Sequence, residues 1–192
     1  MGQEGISAFI IAGGESRRFG EDKALFRYRG RPLIEHVVKI VGTVISPVSI
    51  VADKAERFGF LGLPCYPDIL PGTGSFGGVY SALLYAGTGR AFVFACDMPE
   101  LNPGLIQFMA AESGGFDVTV PEVGGAYEPL HAVYAKSCLG PMEASLRGDQ
   151  RRIISFFSEV SVRSVSAEEI RRFADPARVF RNINYRHEAL DD

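Results

Sequence analysis

The chain has 192 residues, of which 46% are hydrophobic and 22% are charged, and its formal net charge is -3. This length and composition predict one globular domain, 1–192, and exclude a disordered chain. The slight acidity argues against a protein that grips nucleic acid, because such proteins usually carry a basic face. No apolar run approaches the ~18 residues that cross a bilayer, so we expect no membrane attachment.

The three cysteines, Cys65, Cys96 and Cys138, are widely spaced and form no Cys-x-x-Cys pair. This spacing argues against both a disulfide framework and a structural zinc site. A chain with free thiols suits a reducing compartment, and we therefore expect a cytoplasmic protein.

Predicted strands and helices alternate along most of the chain. Ile6–Ile11 is apolar at nearly every position, which is typical of a strand buried on both faces of a parallel sheet. Asn102 and Pro103 are favoured residues at the start of a helix. Further strands are predicted at 48–51, 91–95, 117–121, 129–134 and 160–165. Helices are predicted at 76–86, 103–112, 137–146, 153–160 and 167–173. Two more helices are predicted to begin at residue 33 and near residue 185.

This alternation predicts an α/β fold, a three-layer sandwich with a mostly parallel sheet. A hairpin around Gly124 and Gly125 would be a short antiparallel insertion. Ligands of such folds bind at the carboxyl ends of the strands, where Gly13, Asp53 and Asp97 would project.

The first predicted strand leads directly into Gly13-Gly14 and a loop that contains Arg18 and Lys23. Adjacent glycines let backbone N–H groups approach an anion, and nearby cations can neutralise its charge. The loop is not a Walker motif, because Lys23 is followed by Ala24. From the residues alone, a simple turn and a site for nucleotide phosphates both stay open.

A second glycine-rich segment at 72–77 satisfies the pattern Gly-x-Gly-x-x-Gly, with Asp97 about 20 residues beyond it. We reject an NAD site, because Pro67 and Pro71 prevent the preceding residues from forming the required buried strand. A nucleotide-binding turn and a loop without a ligand stay open.

Asp97 follows the predicted strand at 91–95 and precedes the stiff residue Pro99. A carboxylate in this position can coordinate Mg²⁺, which takes one or two carboxylates and fills its other positions with phosphate oxygens and water. An aspartate here can equally cap a turn.

Segment 11–24 has the pattern Ile-Ala-Gly-Gly-x-Ser-x-Arg-Phe-Gly-x-Asp-Lys-Ala, which resembles the opening motif of the molybdenum cofactor guanylyltransferases. Neighbouring nucleotidyltransferase families share much of this motif. The chain departs from the family pattern at two places. Ser75-Phe76 in place of Pro-Leu is a mild departure, and Tyr185-Arg186 in place of Thr-Pro affects the local cap but not the two preceding asparagine amides. Further elements that resemble the family, in its order, are Asp68 with the glycine-rich turn, Cys96-Asp97-Met98-Pro99, Glu128-Pro129-Leu130-His131-Ala132, the stretch from Gly148 to Arg152, and Asn182-Ile183-Asn184.

The resemblance implies a Rossmann-like fold of the nucleotide-diphospho-sugar-transferase type and a Mg²⁺-dependent enzyme. It implies transfer of GMP from the co-substrate GTP to the terminal phosphate of molybdopterin, with release of pyrophosphate. Lys23, Asp97 and Arg18 would be catalytic, and Asp97 would also bind the metal. The implied contacts to GTP are Ile11, Ala12, Gly13, Gly14, Lys23, Asp53, Asp68, Gly77 and Asp97, with Val51 as an alternative to Asp53.

The same resemblance implies an acceptor side of the cleft for molybdopterin. The resemblance also implies that the protein's partners include molybdenum insertion proteins and the enzymes that receive the finished cofactor. From the residues alone, Arg151 and Arg152 could also belong to a solvated run of charges. His131 suits a structural or binding role better than the role of a general base. The implied acceptor-side residues are His131, Arg151, Arg152, Asn182 and Asn184.

Three alternatives to guanylyl transfer stay open. Cytidylyl transfer to the same pterin is the nearest alternative, although the opening motif of the cytidylyltransferases resembles Ala-Ala-Gly, whereas this chain has Ala-Gly-Gly at 12–14. Another small-molecule nucleotidyltransferase is the second. A nucleotide-sensing module without turnover is the third.

Overall fold

The computed structural model describes residues 5–13 and 23–183. Its α-helices are α1 (Leu33–Gly42), α2 (Ser75–Tyr85), α3 (Pro103–Glu112), α4 (Leu139–Arg147), α5 (Ala167–Arg171) and α6 (Pro176–Val179). Short 3₁₀ helices cover Lys23–Leu25, Ala55–Leu61, Lys136–Cys138 and Ile153–Glu159. The strands are β1 (Ile6–Ile11), β2 (Arg27–Tyr28), β3 (Arg31–Pro32), β4 (Val48–Ala52), β5 (Cys65–Pro67), β6 (Arg90–Ala95), β7 (Val118–Val123), β8 (Ala126–Tyr127), β9 (His131–Ala135) and β10 (Val162–Ser166).

The main sheet has the strand order β10-β7-β9-β6-β1-β4-β5, with β8 paired to β7. Pairs β1–β4, β1–β6, β4–β5 and β7–β10 are parallel, whereas β9 is antiparallel to both of its neighbours and β8 to β7. Strands β2 and β3 form a separate hairpin. The predicted mostly parallel sheet with a short antiparallel insertion is confirmed.

Apolar side chains on both faces of the sheet explain the three layers. Alternate residues of a strand point to opposite faces, so Ala8 and Ile10 of β1 join one core cluster while Phe9 and Ile11 join another. The first cluster includes buried residues of α1 and α3, such as Val37. The second includes residues of α2, α4 and the 3₁₀ helix Ile153–Glu159.

Local signals explain several boundaries. The Asn102 side chain accepts a hydrogen bond from the backbone N–H of Leu105 at 3.0 Å, as expected of a helix cap. The helix predicted at 153–160 is instead the 3₁₀ helix Ile153–Glu159, in which Ile153 and Phe156 are both buried. That three-residue spacing places both side chains on one side of a 3₁₀ helix.

The strand predicted at 129–134 is confirmed as β9 (His131–Ala135), whereas the short strand β8 (Ala126–Tyr127) that precedes it was not predicted. Pro129 lies between the two strands and has no N–H group to donate to a neighbouring strand. Its carbonyl accepts a hydrogen bond of 2.6 Å from the hydroxyl of Tyr134, which holds the bend in place.

The parallel strands deliver their carboxyl ends to one edge of the sheet. Ala12 N–H donates to the Val51 carbonyl at 2.8 Å, and Cys96 N–H donates to the Ile11 carbonyl at 3.3 Å. These bonds hold the residues after β1, β4 and β6 side by side. None of the helices in the described ranges is long and apolar enough to span a membrane.

Candidate active site

A pocket of about 330 Å³ opens at this carboxyl edge, over β1, β4 and β5. Asp53 was expected to contact GTP, with Val51 of β4 as the alternative, and both residues line this pocket. Ala52, Gly72, Gly74 and Gly78 also line the pocket, although we had not assigned them individually. The full lining is Ile11, Gly13, Val51, Ala52, Asp53, Asp68, Gly72, Gly74 and Gly78.

Glycines shape the pocket wall by allowing backbone segments to approach closely. A Cβ on Gly78 would lie 2.7 Å from Cγ2 of Ile11, so only glycine lets α2 pack this closely against β1. Gly72 and Gly74 have φ angles of +84° and +69°, which favour glycine. The turn therefore brings the amino end of α2, whose free N–H groups attract anions, to the pocket.

Asp68 holds this turn together. Its Oδ1 accepts hydrogen bonds from the Leu70 N–H at 3.0 Å and from the Ser81 hydroxyl at 2.8 Å. Ser81 in turn accepts from the Ile69 N–H at 2.9 Å. Ser81 is fully buried in α2, and we missed it from the sequence. A lone serine among apolar helix residues was the available signal.

Lys23 and Asp97 are 74 residues apart in the chain, and the fold brings their side chains into contact. Lys23 Nζ donates to Asp97 Oδ2 at 2.5 Å, and the two side chains are only 17% and 19% exposed. The backbone carbonyl of Asp97 also accepts from the Ile183 N–H at 3.0 Å. Two of the three residues expected to be catalytic therefore form one ion pair.

The second carboxylate oxygen of Asp97 suits a hard cation. Asp97 Oδ1 is buried and accepts no hydrogen bond from the described residues. Those residues contain no group of three or more His, Cys, Asp or Glu that could hold a metal. A single carboxylate fits Mg²⁺, which keeps several waters and uses substrate phosphates as ligands.

His131 lies in the interior of the sandwich rather than in the pocket. Its side chain is 0% exposed, and its ring contacts Phe92, Phe94 and Phe180 with centroid distances of 5.2 to 5.4 Å. Neither ring nitrogen has a hydrogen-bond partner among the described residues. Burial lowers the pKa of His131 to about 3, so the ring is neutral near pH 7.

Among the other acceptor-side candidates that the structure describes, Arg151 and Arg152 lie beside α4, whereas Asn182 adjoins the segment that contacts Asp97. Arg151 is exposed and pairs with Asp149, whereas Arg152 lines a wide groove of about 610 Å³ between α4 and the following 3₁₀ helix. Asn182 directly precedes Ile183, whose N–H binds the Asp97 backbone. Gly14, Arg18 and Asn184 lie outside the described residues.

Comparison with known proteins identifies the class. A family model described as a MobA-like NTP transferase domain matches residues 8–164. A crystal structure of molybdopterin-guanine dinucleotide biosynthesis protein A from Archaeoglobus fulgidus aligns with a TM-score of 0.82 at 26% identity, covering 96% of this chain and 95% of that one. The fold is therefore that of an α/β nucleotidyltransferase.

Sequence relatives narrow the class to one family. A protein from Pelotomaculum thermopropionicum named "Probable molybdenum cofactor guanylyltransferase" is 39% identical over 91% of this chain and 85% of its own length. The molybdenum cofactor guanylyltransferase of Desulfosudis oleivorans is 34% identical over 96% and 93%, respectively. The chain belongs to the MobA-like NTP transferase family that includes the molybdenum cofactor guanylyltransferases, and the resemblance inferred from its motifs is confirmed.

Proposed function

We propose that this protein transfers GMP from GTP to the terminal phosphate of molybdopterin, giving molybdopterin guanine dinucleotide and pyrophosphate. The observation that carries the proposal is the Lys23–Asp97 pair at the carboxyl edge of the sheet that also bears the glycine-lined pocket. Family membership and the names of the relatives supply the substrates.

In this proposal the nucleotide lies over β1, β4 and β5. Gly13 and the amino end of α2 would present backbone N–H groups to the phosphates. Gly14 would be a further contact, and Arg18 would supply positive charge as a catalytic residue. Guanine carries N–H donors on its pairing edge, and the carboxylates of Asp53 and Asp68 are acceptors that line the same pocket. Asp68 already accepts two hydrogen bonds through Oδ1, so its role includes holding the turn that leads into α2.

Asp97 would hold Mg²⁺ through Oδ1, and the bound ion would supply positive charge to the phosphate oxygens. Lys23 has three N–H donors, so one can stay on Asp97 Oδ2 while another faces the α-phosphate. Charge stabilisation of this kind is usually the largest contribution to catalysis. The attacking group is already a phosphate anion, so the reaction needs no general base.

The acceptor would approach over the half of the edge formed by β6, β9 and β7. Arg151 and Arg152 would bind phosphate, the amides of Asn182 and Asn184 would serve the acceptor, and His131 would support this side from within the core. We further propose that 1–192 act as a single nucleotidyltransferase domain in the cytoplasm. Molybdenum insertion proteins and acceptor molybdoenzymes would be its partners.

A nucleotide panel tests the proposal. Purified protein is mixed with Mg²⁺, molybdopterin and GTP, CTP or ATP, and pyrophosphate release is measured with a matched reaction that lacks molybdopterin. We expect release with GTP only, and only when the acceptor is present. Release with CTP would instead identify cytidylyl transfer. GTP binding without release would identify a sensing module.

A further inference from the structure

Glu100 lies shortly after Asp97, and we had assigned it no role. Its side chain is 11% exposed and receives donors from two directions. The Tyr28 hydroxyl donates to Oε1 at 3.1 Å, and Arg178 Nε donates to Oε2 at 2.6 Å. Arg29 lies 3.6 Å away. The hydrogen bond from Arg178 is the main cause that lowers the pKa of Glu100, so it is charged at neutral pH.

Tyr28 links Glu100 to the segment that carries Lys23. The 3₁₀ helix Lys23–Leu25 leads directly into the hairpin of β2 and β3, and Tyr28 lies in that hairpin. Tyr28 is only 1% exposed and packs with Leu33 and Ile183 in a small apolar cluster. Its carbonyl forms a hydrogen bond of 2.8 Å with His36 of α1, so the tyrosine is held from several sides.

Three side-chain contacts therefore connect the same pair of segments. Lys23–Asp97 is the first, Tyr28–Glu100 is the second, and the longer ion pair Arg29–Glu100 is the third. Another contact, Arg178–Glu100, adds α6, the element that precedes the Ile183 bond to the Asp97 backbone.

The second contact matters because lysine alone fixes geometry poorly. Its ammonium is a point charge on a flexible four-carbon stem, so an ion pair to Asp97 permits many relative positions of the two backbones. Tyrosine has only two rotatable side-chain bonds. A buried tyrosine bound to Glu100 consequently restricts the hairpin far more tightly than Lys23 does.

We propose that Glu100 is a positioning residue that, through Tyr28, keeps the Lys23 segment in register with Asp97. This inference rests on the proposed function, in which both residues act on one α-phosphate. Misplacing reacting groups by about 1 Å can cost on the order of a hundredfold in rate. Loss of Glu100 therefore lowers kcat, while the pocket over β1, β4 and β5 keeps its affinity for GTP.

The test compares Glu100→Ala with Tyr28→Phe and with a matched control, Asp117→Ala. Asp117 also accepts bonds from serine hydroxyls and a backbone N–H, but it precedes β7 at the opposite edge of the sheet. For Glu100→Ala we expect kcat to fall roughly tenfold or more and KM for GTP to change less than about threefold. Tyr28→Phe gives a smaller fall of the same kind. Asp117→Ala keeps kcat within about twofold.

A double-mutant cycle separates positioning from simple stability. If Glu100 acts through the Lys23–Asp97 geometry, Glu100→Ala changes the residual kcat of Lys23→Ala by less than about twofold. Additive losses, or equal losses in Glu100→Ala and Asp117→Ala, would overturn the inference while leaving the proposed function intact. A parent protein that fails to transfer GMP would remove the proposed function and this inference with it.

Discussion

The proposed nucleotide half and the proposed acceptor half of the site are built in different ways. Over β1, β4 and β5, backbone and glycine positions shape a pocket of about 330 Å³, and Asp68 and Ser81 hold its turn. On the proposed acceptor half, Arg152 lines an open groove of about 610 Å³ between α4 and the 3₁₀ helix Ile153–Glu159, and His131 is enclosed in the core. The first half is shaped by the main chain, whereas the second offers long exposed side chains. The Lys23–Asp97 pair is the central pair of the proposed site.

This difference predicts that substitutions near the nucleotide half and the central pair are costly, whereas those in the groove are mild. The contacts of the nucleotide half come from the main chain and require a particular backbone path. An atom added at one of its glycines therefore displaces several of these contacts together. Exposed arginines are flexible and screened by solvent, so each contributes modestly.

Replacing either member of the central pair should have the largest effect. For Lys23→Ala and Asp97→Ala we expect kcat to fall about 10²- to 10³-fold, because charge on the α-phosphate loses its main stabilising partner. Steady-state pyrophosphate release measures this loss. Lys39→Ala, which removes an exposed lysine of α1, is the control and should keep full activity. Activity within threefold of the parent in either variant would exclude the pair from catalysis.

Gly77→Ala should damage the nucleotide half directly. The added Cβ would lie 2.7 Å from the Leu70 carbonyl oxygen and 3.3 Å from Asp68 Oδ1, so the turn must move. We expect KM for GTP to rise about tenfold and the free energy of unfolding to fall by about 1–3 kcal/mol, as is typical of overpacking.

Gly140→Ala is the matched helical control for this substitution. Apart from its chain neighbours and its own helix backbone, no described residue has an atom within 4 Å of a Cβ at Gly140, so the alanine should leave KM unchanged and preserve or raise stability. Equal KM values for the two variants would show that the turn does not shape the GTP site.

His131 should make folding sensitive to acid. The pKa of His131 is about 3 in the folded protein, whereas the ordinary histidine value of 6.5 applies to the unfolded chain. As the pH falls, the unfolded state therefore binds the proton first. Stability from the neutral ring is therefore complete above pH 6.5 and is lost between pH 6.5 and about 3, by at most about 1.4 kcal/mol per pH unit.

Urea unfolding of the parent and of His131→Phe across this range measures the difference. All other titrating groups are common to both proteins, so the variant should lose stability less steeply on acidification. If the free energy of unfolding falls equally steeply with decreasing pH in both proteins, His131 is not held neutral by burial.

Arg152→Ala should have the smallest effect. We expect KM for molybdopterin to rise about threefold, with KM for GTP unchanged, because the side chain is exposed and solvent screens its charge. The rise should shrink at high salt. A rise in KM for GTP instead would place the groove on the nucleotide half.

Much of the fold could be predicted because its signals are local. The apolar run of β1, the similar run of β6 and the Asn102 cap each depend on adjacent residues, and all three are confirmed. The short strand β8 was missed, although it directly follows the predicted turn at Gly124-Gly125. The 3₁₀ form of Ile153–Glu159 depends on packing against the sheet, which helical periodicity does not reveal.

The site was predictable where a motif carried it and hidden where distant residues meet. Lys23 and Asp97 stood out as a cation and a carboxylate after strand ends, and the fold joins them. Glu100 meets Tyr28 across 72 residues, so neither residue signals the other in the sequence. His131 precedes Ala132 and Val133 in an apolar strand, a context that was compatible with its complete burial.

The position of the phosphate label after turnover tests guanylyl transfer most directly. Protein, Mg²⁺ and molybdopterin are incubated with GTP labelled at the α-phosphate or, separately, at the γ-phosphate, and the products are separated. The account predicts α-label in the pterin product and γ-label in pyrophosphate. Recovery of the α-label only as free GMP or GDP, with none joined to the pterin, would contradict it.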